Sequence, residues 1–165
     1  MTSAISLAFG TKNILQNLQA QNPQNKLISL SETSGVARLM LLDVSGLPTV
    51  FANPITFKVL NELPQPAYKD FFAFINLQLD PDHAKILRAS VDHFLDQERP
   101  LGLRAFALLE KEKASSEYTI LMSWDHVNDY HAWISSTSFA PFESFYKQSQ
   151  YSYRETAYNR VSLTR

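Results

Sequence analysis

Two prolines stand two residues apart in Leu63-Pro64-Gln65-Pro66, near the middle of a 165-residue chain. Proline lacks the amide donor and its ring blocks the preceding turn, so neither a helix interior nor a central strand fits there. This is the clearest boundary in the sequence, and it places a junction running to about Asp70. Each side has to build its own elements, and the patterns on the two sides are similar in order.

Before the junction, Ile5-Ser6-Leu7-Ala8-Phe9 alternates like a half-buried strand and stops at Gly10-Thr11. Thr11 is a suitable N-cap for a helix over Lys12 to Ala20, with Ile14, Leu15 and Leu18 on one face. Asn22-Pro23-Gln24-Asn25 is a turn. Leu27 to Leu30 and Ala37 to Val44 read as strands, with turns at Ser34-Gly35 and Ser45-Gly46. Thr49 to Ala52 reads as short and extended. Pro54 suits the first position of a helix holding Phe57, Val59 and Leu60 and ending near Glu62.

After the junction, Phe71 to Leu79 is rich in aromatic and apolar residues and reads as a strand. Asp80-Pro81 is an N-cap followed by a first-turn proline. Ile86, Leu87, Val91, Phe94 and Leu95 then form a stripe of helical period. Leu103 to Glu110 and Tyr118 to Trp124 are strands joined by the polar run Lys111 to Ser116. Asp125 is placed to cap a helix from His126 to about Ser135, Phe139 to Tyr146 reads as a short helix, and Tyr151 to Val161 as the last strand. The order is β-α-β-β-β-α, then β-α-β-β-α-β. That is an α+β chain with two passes of a split βαβ pattern, supported by element order and not by any sequence repeat. One continuous α+β sheet without duplication is the alternative.

Composition removes several function classes. Fifteen Lys and Arg balance sixteen Asp and Glu for a net charge of -1, which leaves no basic stripe for nucleic acid. Absence of cysteine excludes disulfides, thiolate metal sites and a cysteine nucleophile. Four glycines give no material for a phosphate-binding loop. No apolar run reaches the roughly 18 residues of a membrane span. Met1 to Leu7 has no basic region ahead of its apolar stretch, so it is expected to be a first strand rather than a signal peptide, in a cytoplasmic protein.

Few residues stand out for chemistry. Asn76 interrupts an apolar strand, which is expected either where the strand faces a cavity or where the position meets solvent. Trp124 and Trp133 fit core packing as well as a pocket wall. His126 and His131 are five residues apart and poorly placed for one metal ion, and His93 fits a neutral surface residue, so no metal site is expected. Eleven Phe, seven Tyr and two Trp are enough to line an apolar pocket, to fill a barrel or to make a dimer face.

Leu121-Met122-Ser123-Trp124-Asp125-His126 followed by Tyr130-His131-Ala132-Trp133-Ile134-Ser135 and Phe139 resembles the hallmark segment of the antibiotic biosynthesis monooxygenase superfamily. Phe71 to Asn76 resembles the first strand of its haem-degrading branch. Ile5 to Thr11 and Thr49 to Pro54 are similar to the N-terminal lobe of its two-lobed, single-chain members, a group that includes proteins labelled signal transduction protein TRAP. The resemblance covers essentially the whole chain. It implies a ferredoxin-like fold of the dimeric α/β-barrel superfamily with two lobes in one chain, 1–66 and 67–165. It also implies a monomer with an internal pseudo-dimer, or a homodimer through another surface.

In haem-degrading members an Asn on the first strand lies near the oxygen ligand, a Trp ruffles the porphyrin, and a His ligates the iron. Asn76 and Trp133 match the first two and are the expected catalytic residues. The third position falls at Glu143, where the family has His. Phe74, Phe139, Phe142 and Glu143 are expected to touch the substrate. With haem as substrate and cofactor, the resemblance implies oxidative haem cleavage. The departure at Glu143 leaves three readings open. Iron is held instead by His131, His93 or Tyr146; or the pocket oxidises a small aromatic without a cofactor; or the chain is a non-catalytic ligand-binding or stress and signalling relative. Whether the pocket is open or filled by Phe71, Phe72, Phe142 or Phe145 is equally open at this level.

Overall fold

Alternation of side chains decides the architecture. The computed structural model describes residues 3–114 and 116–164; Met1 and Thr2 of the expected first strand, Ser115 of the expected hairpin connection, and Arg165 lie outside the described residues. The described residues form eight strands: β1 (Ala4–Phe9), β2 (Leu27–Glu32), β3 (Leu39–Asp43), β4 (Ile55–Glu62), β5 (Phe71–Gln78), β6 (Leu103–Lys111), β7 (Glu117–Trp124) and β8 (Arg154–Arg160). Around the sheet they run β1-β3-β2-β8-β5-β7-β6-β4, and β4 pairs back onto β1 to close a barrel. Every pairing is antiparallel. Closure leaves no strand with an unpaired edge. The strands β1 to β4 lie side by side as 4-1-3-2, and β5 to β8 lie as 8-5-7-6, the same order in each half of the chain.

One side chain in two points into the barrel. Ile5 and Leu7, Ile28 and Leu30, Met40 and Leu42, Phe57 and Val59, Phe72 and Phe74, Leu109, Leu121 and Tyr158 pack there as one cluster drawn from both halves. The alternate residues face outward and are covered by helices. α1 (Lys12–Gln21) covers a small cluster of Leu15, Leu27, Leu41, Phe51 and Leu163. α2 (Pro81–Leu95), α3 (Val127–Ile134) and a 3-10 segment at Thr137–Phe142 cover a larger one that includes Phe71, Ile75, Leu77, Phe94, Phe106, Met122 and Trp133.

Several expected elements change. The segment after Pro54 is strand β4 and not a helix: Phe57 and Val59 are buried at a spacing of two on the inner face, Leu60 packs on the outer cluster, and the register with β6 shifts between Val59 and Asn61. The strand supplies the pairings to β1 and β6 that close the barrel. Thr49 to Ala52 lies in no strand. Asp125 does not cap α3; it forms a bidentate pair with Arg104, whose guanidinium holds the carboxyl below its usual range. His126 takes the cap position. Ile14 and Ile86 sit on their helices' exposed sides, because Leu15 and Leu87 take the inward positions.

Candidate functional site

The barrel opens at one end. There the last turns of β1, β2, β5 and β6 and the first of β3, β4, β7 and β8 surround a cavity of about 650 Å³. Its floor is apolar, made by Leu7, Met40, Phe57 and Phe74. Phe74 meets Tyr158 edge to face with ring centroids 5.2 Å apart. Polar groups enter along one wall. Asn76 lies opposite Thr119 across β7 and opposite Arg154 across β8, so the antiparallel register sets three polar side chains on the inner face together. The Thr119 hydroxyl donates to Asn76 Oδ1 at 2.7 Å. Burial, and after it the carboxylate of Glu32, pushes the Tyr158 phenol above its ordinary range, so it stays a neutral hydroxyl near neutral pH.

On the other side of the same sheet lies Trp133. It is 3 % exposed and packed by Phe94, Trp124, Phe139 and Phe142 at centroid distances of 5.4, 5.6, 4.9 and 5.8 Å. Its indole N–H donates to Ser138 Oγ at 3.2 Å. The crevice beside it, lined by Ile75, Leu77, Phe139, Phe145, Tyr146 and Tyr153 among others, has a volume of about 10 Å³. That is room for about one water molecule.

The residues expected to share one site therefore divide. Asn76 and Phe74 face the barrel interior; Trp133, Phe139 and Phe142 face the helical layer; Glu143 is exposed at the end of the 3-10 segment. Period two separates Asn76 from Ile75 and Leu77, which are the β5 residues that do reach the Trp133 crevice. Period three through the 3-10 segment and the turn after it buries Phe139, Phe142 and Phe145 and turns Glu143 out. Of the open question about filling, Phe142 and Phe145 do fill the space beside Trp133.

These side chains do not fit haem as the resemblance implies. A porphyrin against Trp133 would need the space that the aromatic rings occupy, and Asn76 is on the wrong face to reach it. His93 and His131 are exposed, and Tyr146 alone of the alternative ligands lines the crevice. Among the described residues no three His, Asp or Glu side chains converge.

Reasoning from the sequence missed Thr119, Arg154, Thr156 and Tyr158. A signal existed in the alternation Arg154-Thr156-Tyr158, but polar residues on a strand are ordinarily assigned to the solvent face.

No family model matches the chain, and no curated protein does. Solved structures do share its fold, a closed α+β barrel of ferredoxin-like type. A structure described as a major regulator of staphylococcal pathogenesis superposes with a TM-score of 0.78 at 21% identity, covering 96% of this chain and 99% of that one. A heme-degrading enzyme from Listeria monocytogenes gives 0.71 at 17%, covering 96% and 99%. A ferredoxin-fold protein related to antibiotic biosynthesis monooxygenases, also from Listeria monocytogenes, gives 0.70 at 16%, covering 98% and 96%. At these identities the shared property is the fold, and function rests on the side chains of this chain.

Proposed function

We propose that this chain is a small-molecule-binding protein whose ligand enters the mouth of the barrel. The observation that carries the reading is the mouth itself: a cavity of about 650 Å³ with an apolar floor and one polar wall, which is the size and mixed lining of a ligand pocket. Its residues supply recognition more readily than catalysis. No histidine lines it, and its two carboxylates, Glu32 and Glu117, are each engaged by a cation, Arg38 and Lys111. The net charge of -1 accords with a small-molecule partner in preference to nucleic acid.

The same proposal takes the halves 1–66 and 67–165 as two ferredoxin-like lobes joined in one chain, the first with one helix among the described residues. Support comes from their identical strand order and from the two meeting lines, β2 with β8 and β4 with β6. The chain then closes its own barrel and is a monomer, or assembles through another surface.

Oxidative haem cleavage is the second reading, favoured by the superposition on the heme-degrading enzyme at a TM-score of 0.71. One titration separates the two. Haemin is added to the purified protein and to Trp133→Ala, and absorbance is followed. The mouth reading expects no saturable Soret shift in the wild-type protein. A saturable one-to-one shift, weakened by Trp133→Ala, would favour haem and require the aromatic layer to open.

A further inference from the structure

The mouth is charged unevenly, and the imbalance has a chemical meaning. Its charged side chains are Glu32, Arg38, Lys111, Glu117 and Arg154. Four of them are matched. Arg38 pairs with Glu32 at 3.4 Å and also stacks on Phe9, 4.0 Å from the ring centroid. Lys111 pairs with Glu117 at 3.3 Å. These two pairs sit at the ends of the β2–β3 and β6–β7 hairpins, which hold equivalent places in the two halves. Arg154 has no counterpart: it makes no ion pair among the described residues.

Beside Arg154, polar side chains stand where the matching positions of the other half are apolar. Strand register makes the comparison direct. Asn76 faces Thr119 across the β5–β7 pairing, and the matching positions of β1 and β3 are Phe9 and Met40. Phe74 faces Thr156 across β5–β8, and the matching pair of β1 and β4 is Leu7 and Ile55. Asn76 Oδ1 is occupied by the Thr119 hydroxyl, and its Nδ2 has no acceptor among the described residues. Next to Arg154, therefore, is a half-buried amide donor without a protein acceptor among the described residues.

We propose that the mouth takes an amphipathic monocarboxylate, with its carboxylate on the Arg154 guanidinium and the Asn76 amide and its hydrocarbon against Phe9, Met40 and Phe57. This rests on the mouth-binding reading above. A neutral ligand covering the mouth would strip water from an unpaired cation, which is costly. A dianion would bring a second charge up against Glu32 and Glu117. One negative charge matches the one unmatched cation, and the planar guanidinium suits a carboxylate bidentately.

Methionine methyl groups report on this without an added label in the site. Met40 lines the mouth, whereas Met122 is buried in the outer cluster behind the sheet. The experiment titrates decanoate, phenylbutyrate and decanol into full-length protein carrying methyl-labelled methionine, followed by NMR. Both carboxylates are expected to move the Met40 signal saturably and leave Met122 in place. Arg154→Gln should weaken both by about tenfold or more without weakening decanol, which no longer covers an unpaired cation, with Arg154→Lys intermediate. Added salt should weaken carboxylate binding to the wild type and not to Arg154→Gln. An unmoved Met122 signal in each variant verifies the fold. If decanol binds as tightly as decanoate, or Arg154→Gln weakens all three alike, the anionic head is wrong and the mouth reading stands. If none of the three moves Met40, the mouth reading fails and takes this inference with it.

Discussion

Trp133 shows how one residue can satisfy a sequence pattern and be put to another use. Four aromatic rings surround its indole at centroid distances between 4.9 and 5.8 Å, and Ser138 accepts its N–H. Truncating a buried Trp leaves a cavity that such a packed layer cannot collapse into. Trp133→Ala is therefore expected to cost about 3–5 kcal/mol of stability, read as a lower midpoint in urea at unchanged slope. A Trp that merely walls an open pocket would cost far less. Gly102 offers a second residue-scale test. Its φ is +84°, and a Cβ there would run into the side chain of Asp129. Gly102→Ala should destabilise by more than about 1 kcal/mol, again by urea unfolding, whereas Gly35→Ala, with the same handedness but open space around it, should cost less. The sequence marked Asn76 as unusual because it breaks an apolar run. Which way it faces was not legible, since a polar residue on a strand is equally compatible with solvent and with the mouth of a barrel, and the choice depends on pairings to β7 and β8 that lie tens of residues away in the chain.

Elements with a local stop and start signal were the legible ones. α2 begins at Pro81 because Asp80 accepts from the His83 amide at 2.8 Å and the first-turn proline has no amide to satisfy. The β5, β6 and β7 strands were readable from their own apolar runs. β4 was not, because Phe57, Val59 and Leu60 suit a helix face as well as a strand, and the choice depends on pairings with β1 and β6 that lie far away in the chain. The Asp80 cap carries a prediction with a sign. Its carboxyl is held below the usual range, first by the His83 backbone N–H and then by the His83 side chain. A group lowered on folding contributes fully above its unfolded value, about 3.9, and loses that contribution as pH falls through the folded value. Asp80→Ala should thus lower the melting temperature at neutral pH, and the gap to wild type should narrow on acidification below about pH 4. Asp80→Asn, which keeps a capping oxygen, should lose less. Thermal scans by circular dichroism at several pH values check both statements.

At the scale of the molecule, the barrel interior belongs to neither half alone. Leu7, Met40 and Phe57 pack in the same cluster as Phe72, Phe74, Leu121 and Tyr158, and the sheet closes only when β2 meets β8 and β4 meets β6. Separating the halves would expose one inner face of each and four strand edges in all, a loss that neither half's outer helices offset. Unfolding should then be a single cooperative step, even though the order of strands repeats. Two reporters lie on opposite sides of the junction. Trp124 and Trp133, the chain's two tryptophans, both sit after Pro66, and Met40 sits before it. Tryptophan fluorescence and the Met40 methyl signal are expected to disappear at the same urea concentration. The pairing of Leu30 with Arg160 closes a loop of most of the chain, so refolding should be slow, in the millisecond-to-second range of folds dominated by non-local contacts, and both reporters should recover with one rate. Two midpoints, with the Met40 signal lost first, would mean that the second half holds its fold without the first, and that its inner face is covered in that state by something other than β1 to β4.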